Sequence, residues 1–155
     1  MTPRIDNAFR HAPDAFKAMV ALEGSIAQSG LEYGLIELVK MRASQINGCA
    51  FCLYMHATDA KKAGESDMRL HLLPGWREAT VYSARERAAL AWTEALTRVS
   101  ETHAPDEDYA LVEAAFSEKE RVYLTFLIGA INVWNRMQVG FRATHPAVEE
   151  ARAVA

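Results

Sequence analysis

The chain has 155 residues, half of them hydrophobic and 24% charged, with a net charge of −3. That length buries one substantial core without covalent staples, so a single domain is expected over 1–155, with its core at about 13–142 and a tail over 143–155. Charges of both signs are interspersed, so there is neither a basic stripe for nucleic acid nor a polybasic segment for a membrane surface.

The first ten residues carry charges and no apolar run, so no signal peptide is expected. A first helix is predicted from Pro13 to about Ser29, with Pro in its first turn and Gly30 just past its end. A second starts near Glu32, carries Leu35, Leu38, Val39 and Ile46 at helical spacing, and ends at Asn47-Gly48. A third begins at Cys49 and stops at Gly64. Pro74-Gly75 breaks the pattern between Glu65 and Tyr82, where a short helix and an irregular connection are expected.

Ser83-Ala-Arg-Glu86 is a capping box, opening a helix whose buried face is read as Ala89, Trp92, Leu96 and Val99. A short helix follows from Pro105 to Phe116. Ser117-Glu-Lys-Glu120 is a second capping box and starts a long helix to about Phe141. This last helix is apolar nearly all round from Val122 to Trp134, so it is expected to be the central one or to pack on a partner subunit. The same stretch is interrupted by Thr125, Gly129 and Asn132 and is too short to span a bilayer. Sustained period-two alternation is absent. The fold class is therefore all-α, a helical bundle of about six or seven helices. His11-Ala-Pro-Asp14 recurs as His103-Ala-Pro-Asp106, a helix-start pattern common enough to repeat by chance.

The chain's two cysteines, Cys49 and Cys52, stand three residues apart, and His56 follows one helical turn later. On a helix these positions share a face, whose continuation is Ala60 and Ala63, while Asp59, Lys61 and Lys62 fall elsewhere. In a cytoplasmic protein, the expected setting, such a pair points to catalysis or metal binding rather than to a structural staple. A thiol at a helix start meets unpaired amides and the positive end of the dipole, which favours Cys49 as the thiolate. His56, four residues past Cys52, is placed to take or return its proton. Glu37 in the second helix fits two readings equally: folded over His56 across the Asn47-Gly48 turn, or paired at the surface with Lys40.

The pattern Glu37-x11-Cys49-x2-Cys52-x3-His56 resembles the core motif of the alkylhydroperoxidase D-like proteins of the carboxymuconolactone decarboxylase superfamily. The run from Glu37 to Cys52 looks like that family's helix-turn-helix almost throughout. Ile131-Asn-Val-Trp-Asn-Arg136 is similar to a segment of one of its small single-domain branches, and the likeness extends from about Arg4 to Arg142. The resemblance implies an all-helical dimer, trimer or hexamer. It also implies an antioxidant thiol peroxidase or disulfide reductase that works without haem, flavin or metal cofactor. Cys52 would be the sulfur that meets a hydroperoxide, Cys49 its disulfide partner, His56 the base and Glu37 the end of a proton relay, with a dithiol or protein reductant closing the cycle. Where some members carry a histidine before the second cysteine, this chain has Phe51.

Three rival readings use the same residues. Cys49, Cys52 and His56 with Glu37 or His71 would make a metal site, but structural zinc usually draws a second ligand pair from a distant segment and none is present. A non-redox lyase would fit the superfamily's decarboxylase branch, which generally lacks the cysteine pair. A redox sensor would use the disulfide as a switch. Asn132, Trp134, Asn135 and Arg136 are read as pocket, interface or structural residues, and His11, His71, His103 and His145 receive no role.

Overall fold

In the computed structural model, which describes residues 2–146, the chain is all-α. Its helices are α1 (Pro13–Ala27), α2 (Tyr33–Asn47), α3 (Ala50–Lys62), α4 (Asp67–Leu72), α5 (Ala84–Thr97), α6 (Val99–Thr102), α7 (Asp106–Ala115) and α8 (Glu118–Phe141). Single 3-10 turns lie at Ala8–Arg10 and Leu73–Gly75, and no strand occurs among the described residues. The tail expected over 143–155 lies mostly outside them.

Local chemistry sets most boundaries. Ser83 and Ser117 each accept the amide of the residue three positions on, and Glu86 and Glu120 return the contact to the serine's own amide. Both capping boxes thus satisfy two orphan donors at a helix start. Gly48 ends α2 in the left-handed region at φ +65°, and this is the turn that reverses the chain into α3. There the constraint is the backbone angle, because a Cβ at Gly48 would meet nothing within 4 Å.

Among the described residues there are eight α-helices, one more than the expected six or seven, because the helix opened by Ser83 does not run through to Val99. It stops at Thr97, the chain departs from helical geometry at Arg98 (φ −109°, ψ 36°), and one further turn forms α6. The Thr102 hydroxyl donates to the Ala95 carbonyl at 2.7 Å, satisfying one of the last acceptors of α5. Val99, expected on the buried face with Ala89, Trp92 and Leu96, is instead 51% exposed.

The centre of the bundle is α2, not α8. Eight of the 15 residues of α2 are buried, including Leu35, Leu38, Val39 and Met41, against seven of 24 in α8. One side of α2 packs with Trp92, Leu124 and Ile128 of α5 and α8, and the other with Leu70, Trp76 and Leu90. The helix α8 buries Leu124, Leu127, Ile128 and Ile131 but leaves Val122, Phe126 and Val133 between 43% and 55% exposed. Its all-round apolarity is thus divided between a core face and an open strip. No helix among the described residues is long and apolar enough to cross a membrane.

Candidate active site

The site is built on the α2–α3 hairpin. Cys49 is the N-cap of α3 rather than its first residue. Its backbone is extended (φ −86°, ψ 91°), and its Sγ accepts the Cys52 amide at 3.3 Å. A sulfur thus occupies the position that Ser, Thr or Asp usually fills at a helix start. Within α3, Cys52, His56 and Ala60 form the buried stripe, whereas Ala63 lies past the helix end and is exposed. Both sulfurs belong to a small apolar cluster with Ala43 and Ile131, against which Phe51 and Trp134 pack.

Glu37 lies over His56. Its Oε2 is 2.9 Å from His56 Nδ1, with both side chains almost wholly buried. Lys40, the other partner considered for Glu37, instead pairs with Glu23 of α1 at 2.7 Å. Glu23 also accepts the Trp134 indole N–H at 3.1 Å. A carboxylate on one imidazole nitrogen fixes the ring and leaves the other nitrogen for exchange chemistry.

The two thiols are inequivalent. Cys49 is lowered from its ordinary 9.0 to about 7, first because the Cys52 thiol donates a hydrogen bond to it, then through the Cys52 amide, the Asn135 side chain and the Phe51 amide. Cys52 is pushed up, because its S–H donates to the Cys49 sulfur and because burial disfavours its charged form. The first proton to leave the pair therefore leaves Cys49, at about 7, and the remaining one stays on Cys52. The helix-start argument for Cys49 as the thiolate agrees with this.

Each cysteine opens onto a different cavity. Cys52 lines one of about 470 Å³ together with Glu37, His56, Glu23, Lys40 and Asp59, walled by Tyr33, Met55 and Trp134. Cys49 lines another of about 440 Å³, between Gly48 and the C-terminal end of α8. Phe51 and Gln138 border both. Phe51, which stands where a second histidine occurs in some similar proteins, is thus part of a wall between the sulfurs' two openings. A larger cleft of about 650 Å³ runs along the open strip of α8 and contains neither cysteine.

The polar groups around the sulfurs come from α8 and the end of α2, and the amides of α8 were not separable from ordinary structural amides in the sequence. Asn135 donates to Ser44 Oγ at 3.0 Å, and its side chain favours the thiolate form of both cysteines. Ser44 likewise favours the thiolate form of Cys52. Asn47 donates to Asn135 and Asn132 at 2.8 and 3.0 Å, and Asn132 donates to Thr97 at 3.1 Å. The available signal was a pair of amides one turn apart in an otherwise apolar helix, where a buried amide needs partners. Arg136 serves this network from outside, donating to Asn132 Oδ1 at 3.0 Å. Among the described residues no three His, Cys, Asp or Glu side chains gather as a metal-ligand set, and His71 is exposed on α4.

The chain is similar to several known proteins. Residues 13–95, which include Glu37, both cysteines and His56, match the carboxymuconolactone decarboxylase family. The chain is 41% identical over 128 residues to the uncharacterized Bacillus subtilis (strain 168) protein YdfG, covering 83% of this chain and 87% of that one. It also aligns with the crystal structure of an Agrobacterium tumefaciens protein of unknown function, described as a candidate antioxidant defence protein AhpD. There the TM-score is 0.89 at 48% identity, over 94% of this chain and 99% of that one. The debrominase Bmp8 shares the fold alone, with a TM-score of 0.78 at 20% identity over 92% and 77% of the two chains. From its cysteine hairpin to its α8 scaffold, the chain belongs to the carboxymuconolactone decarboxylase family, in its small AhpD-like branch.

Proposed function

We propose that the protein is an antioxidant thiol peroxidase that reduces hydroperoxides through the Cys49–Cys52 pair, with Glu37 and His56 as proton relay. The observation that carries this reading is the buried 2.9 Å Glu37–His56 contact in the same cavity as Cys52. Cys52 Sγ attacks the terminal peroxide oxygen, and the O–O bond breaks as the S–O bond forms. The Cys52 proton passes to His56, whose charged form Glu37 stabilises, and from there to the departing alkoxide, which leaves as the alcohol. Cys49, already a thiolate, then attacks the Cys52 sulfenic acid and expels hydroxide, which takes a proton from solvent. A dithiol donor reduces the resulting disulfide and is itself oxidised. Such a cycle belongs in a reducing compartment such as the cytoplasm.

The test is peroxide-dependent loss of two hydrogens, followed by intact-protein mass spectrometry, in wild type and His56→Ala. Wild type is expected to form the Cys49–Cys52 disulfide rapidly at near-neutral pH, and His56→Ala slowly. Thiols left untouched by peroxide would sink the peroxidase reading and leave a dithiol-disulfide reductase or redox sensor in its place. The open strip of Val122, Phe126 and Val133 further supports self-association into a homo-oligomer.

A further inference from the structure

The two cavities differ in charge as well as position. Around Cys52 stand the carboxylates of Glu23, Glu37 and Asp59, against one lysine and His56. Around Cys49 stand Arg4 and Arg142, and no carboxylate occurs among the described residues that line it. Arg4 is held in place there. Its amide donates to the Phe141 carbonyl at 2.9 Å and its Nη1 to the Gly140 carbonyl at 3.0 Å. A guanidinium has five N–H donors, so that contact leaves most of its donor capacity free for a ligand. Basic residues near a helix C-terminus complement the dipole. That accounts for Arg142 at the C-cap of α8 and for Arg4 against its last carbonyls, but not for both lining the cavity of a sulfur.

We propose that the Cys49 cavity is a separate reductant port, in which Arg4 and Arg142 recruit an anionic thiol donor while hydroperoxide uses the Cys52 cavity. This rests on the dithiol cycle above and assigns its second half to a different face of the protein. Donor thiolate attacks Cys49 Sγ, a donor–Cys49 bond forms, and the Cys49–Cys52 bond breaks with its electron pair going to Cys52. Cys52 takes a proton through His56, which offsets its being the poorer leaving group of the two. A second donor thiol then attacks the donor sulfur and releases Cys49 as thiolate. The donor leaves as a disulfide, having given up two electrons and two protons. In the Cys52 cavity Lys40 is paired with Glu23 and His56 with Glu37, so its described lining offers an anionic donor no unpaired cation. A neutral hydroperoxide needs none, so the two substrates do not compete for one opening.

The experiment starts from full-length protein whose disulfide has been formed with diamide, so it reads out whether or not peroxide oxidises the pair. Mercaptopropionate, mercaptoethanol and cysteamine are compared at equal thiolate concentration, and the trapped mixed disulfide is located by peptide mass spectrometry. At low salt the carboxylate thiol is expected to react roughly threefold to tenfold faster than the neutral one, and the ammonium thiol slower by a similar factor. The spread is expected to collapse at about 0.5 M salt. The adduct is expected on Cys49. Arg4→Glu with Arg142→Glu should invert the order, and the milder Arg4→Gln with Arg142→Gln should flatten it without loss of helicity. A mixed disulfide on Cys52, or an order indifferent to salt and to both arginines, overturns the proposal. Failure of peroxide to oxidise the thiols would instead overturn only the peroxidase reading.

Discussion

Glu37 of α2 and His56 of α3 meet at 2.9 Å across the turn at Gly48, although 19 positions separate them in the chain. Glu37 is 3% exposed and His56 5%, so neither partner can turn to water if the other is removed. A buried contact of this kind both orients the imidazole and makes the hairpin sensitive to change.

Glu37→Gln keeps a hydrogen-bonding group of the same size but removes the charge that stabilises a protonated His56. We expect the rate of peroxide-driven disulfide formation to fall roughly tenfold to a hundredfold while helicity is retained. Stopped-flow tryptophan fluorescence with an alkyl hydroperoxide measures it. An unchanged rate would remove Glu37 from the relay.

The asymmetry of the thiols has a pH signature. Because Cys49 is lowered to about 7, limiting iodoacetamide should label Cys49 before Cys52, at a rate that rises through about pH 7 and then levels off. Preferential labelling of Cys52, read by peptide mapping, would reverse the assignment of the thiolate.

Linkage extends the same asymmetry to stability. In the unfolded chain both thiols titrate near the ordinary 9.0. Cys49 is depressed in the folded state, so its contribution is lost as pH falls from about 9.0 to about 7 and is fully present above that window. Cys52 is raised, so its contribution is present below 9.0 and lost as pH rises beyond it. The reduced protein, relative to its Cys49→Ser, Cys52→Ser double variant, should therefore gain thermal stability from pH 7 to 9 and lose it above. A flat difference in melting temperature across this range would contradict the asymmetry of the thiols.

Asn135→Ala removes the amide that bonds Ser44 and favours the Cys49 thiolate, and leaves Asn47 short of an acceptor. Unfolding by urea should show a loss of about 2–3 kcal/mol. Thiolate absorbance should show Cys49 titrating closer to its ordinary value. Loss of stability with no change in thiol titration would make Asn135 a structural residue only.

The strip of Val122, Phe126 and Val133 is expected to be covered by a second copy of the chain. Phe126→Glu places a charge in its middle and should shift the protein to a smaller species in size-exclusion chromatography with light scattering, with its helicity intact. A wild type that is already monomeric at micromolar concentration would rule this face out as a self-contact.

Much of this protein was legible where the cause is local. The two capping boxes involve residues three positions apart, and both start helices where they were read. Gly48 ends a helix because one backbone angle demands it. The spacing of Cys-X-X-Cys and His56 narrowed the site to redox or metal chemistry. Long-range choices were not legible. Glu37 had two admissible partners, and the decision fell to Glu23 of α1, which takes Lys40 and leaves Glu37 to His56. The core position went to α2 because neighbouring helices cover both its sides, which the apolarity of α8 could not reveal. Asn135 finds Ser44 at a distance of 91 positions, beyond any periodicity.

The sulfurs show the division most clearly. Helical arithmetic puts Cys49 and Cys52 on one face, and residue identity alone made them the candidate reactive pair. Cys49, however, is the N-cap, with an extended backbone outside the helix. Phe51 and Gln138 stand at the border of both cavities, so the pair opens to an acidic cavity on one side and a basic one on the other. Only the packing of α8 and the N-terminal segment against the hairpin decides that, because the walls come from residues far apart in the chain.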